Sequence, residues 1–181
     1  MEIKRDYYLN KLIRHKNNGM VKIVTGIRRC GKSYLLFNLF YKHLLSCGVF
    51  DDHIISVALD DFGNKKLRDS EALYDFVKGK ITDNADYYIL LDEIQLVDDF
   101  ESVVNGFARI NNVDVYITGS NSKFLSSDVI TEFRGRGDEI RVYPLCFSEF
   151  YSVYGGDFDQ AWLMYCNYGG MPLCLSMETA E

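Results

Sequence analysis

The 181-residue chain contains 25% charged and 48% hydrophobic residues, a composition typical of one globular domain rather than of a disordered segment. Its formal net charge of −6 counts against a general nucleic-acid binder, which would carry an excess of Lys and Arg, although the stretch from Lys4 to Arg29 is locally basic. The first residues show no apolar signal sequence and no apolar run is long enough to span a bilayer, so the sequence predicts a cytoplasmic protein without a membrane partner.

Hydrophobic periodicity predicts helices that alternate with strands. An N-terminal helix at 3–16, within the first 19 residues, is followed by predicted strands at 20–25, 53–59, 87–91, 113–118 and 138–143. Predicted helices begin at Ser33 and lie at 69–81, 99–110 and 122–133. This alternation indicates an α/β fold, a three-layer sandwich around a five-stranded, mainly parallel sheet with right-handed crossovers.

The character of the chain changes after Pro144. Two predicted helices at 147–154 and 157–168 end at the sequence GGMP, residues 169–172. We therefore expect a core domain at 1–145 and the start of a helical lid or second subdomain at 146–181. Since no structural close follows these helices, we expect the chain to be a piece of a longer protein.

The sequence GIRRCGKS, residues 26–33, fits the pattern G-x-x-x-x-G-K-[ST] at every fixed position, and it follows a predicted strand and opens a predicted helix. Gly26 and Gly31 let the backbone approach phosphate closely, and the helix N-terminus adds unpaired N–H donors. Lys32 is expected to reach the β- and γ-phosphates, and the Ser33 hydroxyl to ligate Mg²⁺. The pattern predicts a P-loop that binds ATP with Mg²⁺; the alternative is a glycine-rich turn without a ligand.

Further residues of this loop are candidates for nucleotide contact. The side chains of Arg28 and Arg29 are expected to point outward, towards solvent in preference to phosphate or a partner. Cys30 is one of five cysteines that form no CxxC pair, so an inert thiol is favoured over oxidative inhibition. The predicted nucleotide-binding residues are Gly26, Ile27, Arg28, Arg29, Cys30, Gly31, Lys32, Ser33, Tyr34 and Ser120.

Asp92 and Glu93 directly follow the apolar run YYILL. A carboxylate at the carboxyl end of a buried parallel strand lies where α/β sheets bind ligands. Asp92 is the predicted Mg²⁺ ligand, and Glu93 is the predicted base that polarises the attacking water. The alternative is a helix N-cap with an adjacent acid, but the position sixty residues after Lys32, with one predicted strand between, favours the metal site.

Other polar residues are candidate catalytic groups. Ser120 and Asn121 end the next predicted strand, where one of them is expected to contact the γ-phosphate or position the water, Asn121 slightly ahead. Turn chemistry alone would also explain them. Arg134 and Arg136 flank Gly135, and an arginine supplied from a neighbouring molecule can stabilise transition-state charge; a solvated basic loop is the equal alternative.

Several segments, taken in order, resemble a family of prokaryotic predicted ATPases of the AAA superfamily: GIRRCGKSYLL, ILLDEIQ, ITGSNSKFLS, FRGRGDEIRVYPLCFSEF and YGGMP. The resemblance spans nearly the whole chain. It implies an ASCE-type P-loop domain, in which one strand lies between the P-loop strand and the Asp-Glu strand. Family members usually continue into a winged-helix-like segment and a C-terminal domain of unknown function that resembles restriction nucleases.

Carried over residue by residue, the resemblance assigns roles to four groups of side chains. Lys32 and Ser33 would serve phosphate and Mg²⁺, Asp92 and Glu93 metal binding and catalysis, and Ser120 or Asn121 the sensor position. The family's arginine pair corresponds to Arg134 and Arg136.

Two functional hypotheses follow. The first is an ATPase that hydrolyses Mg·ATP to ADP and phosphate and so drives a conformational change. The second is a nucleotide-gated switch or scaffold with little turnover that controls assembly or binding to DNA or protein, with a homo-oligomer as one candidate state. Glu93 favours the first hypothesis, and the acidic balance leaves room for the second. A small-molecule kinase ranks third because no acceptor-site signature is visible.

Overall fold

A computed structural model of the chain describes residues 2–120, 133 and 136–176. The predicted helix at 122–133, apart from Phe133, and the candidate residues Asn121 and Arg134 lie outside these described residues. In the described part of the chain, no helix is long and apolar enough to cross a membrane.

A five-stranded sheet forms the centre of the fold, and every strand pair in it is parallel. The strands are ordered β2–β3–β4–β1–β5, which confirms the predicted parallel α/β sheet. β4 lies between β1 and β3, as the family resemblance implies for the P-loop and Asp-Glu strands. The strand bounds are β1 Val21–Thr25, β2 Ile54–Ala58, β3 Tyr87–Asp92, β4 Val113–Thr118 and β5 Gly137–Arg141.

The helices lie close to the predicted positions. The helix after the P-loop runs from α2 through a π-helical segment, Leu35–Phe40, into α3. Asp69 caps the start of α4, because its carboxylate accepts a hydrogen bond of 2.9 Å from the backbone N–H of Ala72. The helix bounds are α1 Asp6–Arg14, α2 Lys32–Tyr34, α3 Tyr41–Ser46, α4 Ser70–Lys80, α5 Phe100–Phe107, α6 Phe147–Tyr154 and α7 Phe158–Tyr168. Short 3-10 turns lie at Asp51–His53, Phe62–Arg68, Ile94–Leu96 and Pro172–Ser176.

Helices cover both faces of the sheet, which explains why β1 and β3 are buried along their whole length. On one face, side chains of α4 and α5 such as Val77 and Phe107 pack against β2, β3 and β4. On the other, Leu12 of α1 and Phe40 after the P-loop pack against Tyr116 and Leu90. The result is the predicted three-layer sandwich.

The helices after β5 have a small apolar cluster of their own. Leu145, Phe150, Ala161 and Cys174 are its buried members, and Ile3 from the N-terminal segment packs against it. The backbone N–H of Leu145 donates a 2.6 Å hydrogen bond to the carbonyl of Gly170, which ties the end of α7 back to the start of α6. We call residues 146–176 the C-terminal helical segment. The proposed division between this segment and residues 1–145 stays a prediction.

Candidate functional site

The carboxyl ends of β1, β3 and β4 meet at one edge of the sheet, where open α/β folds place their ligands. The segment 26–31 leaves β1 in a conformation that requires glycine: Gly26 has φ +146° and Gly31 has φ +99°, while Arg29 lies between them at φ +66°. A Cβ on Gly26 would lie 2.3 Å from the carbonyl oxygen of Val142. The loop backbone is therefore pressed against the segment that follows β5, and only glycine fits there.

Lys32 is the first residue of α2 and is only 4% exposed. Its Nζ donates to the carbonyl oxygens of Gly26 and Ile27, both at 3.1 Å, so the ammonium group lies across the loop that it follows. The side chains of Ile27, Arg28 and Arg29 are exposed, and that of Arg28 lines the cavity described below. The loop thus combines closely placed backbone groups with one buried positive charge that two carbonyl oxygens hold in place.

Two other predicted loop residues use their side chains within the protein. Cys30 is buried, its Sγ donates to the carbonyl of Val142 at 3.5 Å, and burial raises the pKa of its thiol. A thiol of this kind is a poor nucleophile, in agreement with the inert role expected for it. The hydroxyl of Tyr34 accepts a 3.1 Å hydrogen bond from the backbone N–H of Ile3. Because both side chains are engaged within the protein, the prediction that Cys30 and Tyr34 contact a nucleotide now concerns their backbone groups, and it stays a prediction.

Asp92 ends β3 and is 3% exposed. The hydroxyl of Thr118 on β4 donates to its Oδ1. Burial raises the pKa of this carboxyl, and the charges of Glu93 and Asp60 add to the effect, while hydrogen bonds from Thr118 and Ser33 oppose it. The Ser33 hydroxyl therefore lies beside the Asp92 carboxyl. None of the groups that act on the Asp92 carboxyl is a basic side chain. A buried carboxylate in such surroundings is an electrostatic site for a cation.

The oxygen atoms beside Asp92 suit Mg²⁺ better than a metal ion that takes all of its ligands from the protein. Among the described residues, no group of three or more His, Cys, Asp or Glu side chains is placed to hold a metal ion. Mg²⁺ commonly takes one or two protein oxygens and completes its shell with water and substrate phosphate. The Ser33 hydroxyl and the Asp92 carboxylate supply such a pair of oxygens.

Glu93 follows with a left-handed backbone, φ 55° and ψ 46°. Its backbone N–H donates to the Thr118 hydroxyl at 3.1 Å, so Thr118 contacts both acidic residues. The Ser120 hydroxyl is 3.0 Å and 2.9 Å from the two carboxylate oxygens of Glu93, and Nε2 of Gln95 donates to Oε2. A strained backbone held by this many contacts fixes the direction in which the carboxylate points.

Gln95 was not predicted as a functional residue, although it lies within the segment ILLDEIQ that carries the family resemblance. Its Oε1 atom is buried and has no hydrogen-bond partner among the described residues. A buried amide oxygen in this state is ready to accept a hydrogen bond from a water or a ligand.

A cavity of about 450 Å³ opens beside Glu93. Arg28 of the P-loop, Arg68 and Asp60 line it together with Gln95 and Ser120, the two side chains that contact the Glu93 carboxylate. The guanidinium of Arg68 is held by the carbonyl oxygens of Leu59 and Asp60, at 2.7 Å and 3.2 Å. A hollow of about 510 Å³ between α4 and α5 is larger but lies away from the P-loop and from Glu93. We therefore take the smaller cavity as the functional one.

Arg136 is placed differently from the other candidate residues. It is exposed and precedes β5, and its carbonyl accepts a 2.7 Å hydrogen bond from the N–H of Val21 at the start of β1. It therefore lies at the amino edge of the sheet, about 16 Å of strand away from the carboxyl edge. Within one molecule, the structure does not bring Arg136 to the P-loop.

A parallel sheet in this order, with a glycine-bounded loop after β1 and an Asp-Glu pair after β3, defines the fold class of the AAA-type P-loop ATPases. A family model described as an AAA domain matches residues 18–151. The chain belongs to this AAA-domain family.

Two curated relatives match most of the chain. An uncharacterized protein of Haemophilus influenzae is 33% identical over 176 residues, covering 94% of this chain and 44% of the relative. The uncharacterized protein MJ1544 of Methanocaldococcus jannaschii is 35% identical over 154 residues, covering 82% of this chain and 31% of the relative. The chain thus spans less than half the length of these relatives.

Among solved structures, AMPPCP-bound DnaA from Aquifex aeolicus is similar in fold, with a TM-score of 0.59 at 13% sequence identity. The match covers 93% of this chain and 56% of the DnaA chain. Family and fold together support a nucleotide-binding function of the ATPase type.

Proposed function

We propose that the chain binds ATP with Mg²⁺ at residues 26–33 and hydrolyses it to ADP and phosphate, and that this turnover drives a conformational change. The observation that carries the proposal is the placement of Glu93. Its carboxylate is fixed beside the P-loop, at the wall of a cavity, directly after a buried carboxyl that fits a metal ion. The AMPPCP in the similar DnaA structure supports a nucleotide as the ligand of this fold.

Binding would rest on the loop and the two oxygen donors. Backbone N–H groups at the start of α2 and the ammonium of Lys32 would contact the phosphates. The Ser33 hydroxyl and the Asp92 carboxylate would hold Mg²⁺, which when bound neutralises charge on the β- and γ-phosphates. Both residues are already close to each other.

The chemical step would be general-base catalysis by Glu93. As the oxygen of a water molecule bonds to the γ-phosphorus, the Glu93 carboxylate takes a proton from that water. The bond between the γ-phosphorus and the bridging oxygen breaks, and its electron pair leaves with ADP. The guanidinium groups of Arg28 and Arg68, on the same cavity, would stabilise negative charge on the transferred group.

One observation favours the second candidate, a nucleotide-gated switch with little turnover. Both carboxylate oxygens of Glu93 accept hydrogen bonds, from Ser120 and Gln95. A base held in this way is less available to a water until the contacts rearrange. In that case ATP binding, rather than hydrolysis, would control assembly into a homo-oligomer or contact with a DNA or protein partner.

An arginine supplied by a second copy of the chain would connect the two candidate functions, the ATPase and the nucleotide-gated switch. Because Arg136 is exposed and lies away from the site of its own molecule, it can serve as a transition-state group only for a neighbour. Turnover would then depend on assembly.

Phosphate release from Mg·ATP, measured over a range of protein concentrations, tests the proposal. We expect Glu93→Gln to bind AMPPCP like the wild type and to release phosphate at least about 100-fold more slowly. Turnover per chain that rises with concentration would indicate sites completed between molecules. AMPPCP binding without phosphate release from the wild type would support the switch instead.

The binding site itself is tested by Lys32→Ala, with the exposed Lys80→Ala as the matched control. We expect Lys32→Ala to abolish AMPPCP binding in calorimetry, because the phosphates lose their positive partner, whereas Lys80→Ala binds normally. Normal affinity in Lys32→Ala would refute the phosphate assignment.

A further inference from the structure

Arg5 is buried to an unusual degree for an arginine. It lies in the segment before α1, is 2% exposed, and belongs to the largest fully buried side chains of the described residues. A charged side chain removed from water in this way must be compensated by hydrogen bonds and opposite charge. The groups that compensate it show which parts of the molecule it joins.

The guanidinium of Arg5 contacts three separate segments. Nη1 donates to the carbonyl oxygen of Cys30 in the P-loop at 3.1 Å, and Nη2 donates to that of Tyr143, beyond β5, at 2.6 Å. Nε lies 3.1 Å from Oε1 of Glu149 on α6, as an ion pair. The guanidinium plane also lies over the ring of Tyr8, 4.6 Å from its centre.

Glu149 extends the connection into the C-terminal helical segment. Its other carboxylate oxygen, Oε2, accepts a 2.9 Å hydrogen bond from the backbone N–H of Cys146 and so caps the start of α6. A direct chain of contacts therefore runs from the P-loop carbonyl through Arg5 and Glu149 to the helix.

A second contact between the two parts lies close by. A Cβ built on Gly31 would be 3.6 Å from Nη1 of Arg5 and 3.9 Å from Cγ of Pro172, in the turn after α7. The P-loop backbone thus lies against both Arg5 and the end of the C-terminal helical segment. A small movement of the loop would therefore change its contacts with Arg5 and with the end of the C-terminal helical segment.

We propose that Arg5 is a positioning residue that couples the P-loop to the C-terminal helical segment, so that nucleotide binding at the loop holds α6 and α7 in place. The inference rests on the proposed function, since it takes the loop as the nucleotide site. Phosphates that fix the loop also fix the Cys30 carbonyl, which directly precedes Gly31. The carbonyl then orients the guanidinium, and the guanidinium holds Glu149.

Arginine is the side chain suited to this task. Its planar fork donates hydrogen bonds in fixed directions to the carbonyl oxygens of Cys30 and Tyr143 while its delocalised charge pairs with Glu149, whereas lysine offers one ammonium on a flexible stem. Arg5→Lys therefore keeps the charge and loses the simultaneous contacts. Glu149→Gln is narrower: its amide oxygen can still cap α6, but the ion pair to Arg5 is gone.

Hydrogen exchange of α6 and α7, with and without Mg·AMPPCP, tests the coupling. In the wild type we expect nucleotide to slow exchange in these helices about tenfold. In Glu149→Gln we expect AMPPCP affinity within about threefold of the wild type but no slowing of exchange in α6 and α7. Arg5→Lys should lose the slowing and bind about tenfold more weakly. The exposed Arg14→Lys on α1 is the matched control and should behave like the wild type.

The outcomes separate the coupling from the nucleotide site. If nucleotide still slows exchange in α6 and α7 of Glu149→Gln to the wild-type extent, the coupling is wrong and the nucleotide site stands. If the wild type binds no AMPPCP, the proposed function fails and the coupling fails with it. Glu149→Gln alone decides the matter if Arg5→Lys does not fold.

Discussion

Replacing Gly26 by alanine tests the close approach on which the P-loop depends. The added methyl would lie 2.3 Å from the carbonyl oxygen of Val142 and 3.0 Å from Sγ of Cys30. Ordinary van der Waals contact begins near 3.4 Å, so the loop and the segment after β5 must separate by about 1 Å. The N–H of Val142 also bonds to the carbonyl of Thr25 at 2.8 Å, so this separation strains the end of β1.

Two costs add up at Gly26. Overpacking of a well-packed site costs about 1–3 kcal/mol, and forcing a residue with a side chain to φ +146° costs about 1–3 kcal/mol more. The free energy of unfolding should therefore fall by about 2–6 kcal/mol. For a chain of this size each kcal/mol lowers the melting temperature by about 2–4 °C, so we expect a loss of at least about 4 °C.

Gly48→Ala is the matched control, because Gly48 also has positive φ, +86°, but a Cβ there meets nothing within 4 Å. The fall in the free energy of unfolding of Gly48→Ala should therefore contain the cost of the backbone conformation but no cost of overpacking. Thermal unfolding followed by circular dichroism gives both values, and titration with AMPPCP should show binding at least about tenfold weaker in Gly26→Ala alone. Equal melting temperatures for the two variants, with unchanged nucleotide affinity in Gly26→Ala, would refute the reasoning.

Three further predictions address the acids and the end of α7. Gln95→Ala should lower phosphate release about tenfold without changing AMPPCP affinity, because the base at Glu93 loses an orienting contact; faster release would show that Gln95 restrains the base. Burial raises the pKa of Asp92 above 3.8, so the ligand-free protein should lose stability as pH rises from that value through the raised pKa. Asp92→Asn should remove this dependence in calorimetry, melt higher than the wild type at pH 7, and lose magnesium-dependent turnover. Gly170→Ala places a Cβ 2.0 Å from the carbonyl oxygen of Leu145 and should destabilise the protein by about 2–4 kcal/mol in thermal unfolding; a loss below about 0.5 kcal/mol would contradict this.

Features that depend on local pattern were predictable from the sequence. β1, β3 and β4 are short runs that are rich in apolar and β-branched residues and buried along nearly their whole length, so the ends of β1 and β4 fall within one residue of the prediction. The P-loop was predictable because its spacing and its glycines reflect backbone conformations that few other residues adopt.

Features that depend on distant contacts were not predictable. α1 begins at Asp6 rather than at Ile3, because Arg5 turns inward to reach the P-loop and α6. Nothing in the periodicity of residues 3–16 marks this arginine as buried. The π-helical segment Leu35–Phe40 keeps the apolar spacing of an α-helix, so the pattern alone does not distinguish the two.

The site around Asp92 and Glu93 also combines features that were predictable from the sequence with features that were not. Asp92 and Glu93 were predicted from their position directly after the apolar run at 87–91, but the role of Thr118 was not, since it depends on which strand lies beside β3. Thr118 ends β4 and contacts both acids, which fixes their relation to the sheet. The predicted contributions of Asn121 and Arg134 lie outside the described residues and stay predictions.

The central place of β1 in the sheet has a consequence for the order of biosynthesis. β1 pairs with β4 on one side and with β5 on the other, and the latter pairing joins Thr25 to Arg141. During translation β1 leaves the ribosome before the other four strands of this sheet, yet both of its neighbours are made after β2 and β3. The P-loop can therefore take its final shape only once the chain has been synthesised past β5, so under the proposed function ATP would stabilise the completed sheet and give no help to shorter nascent chains.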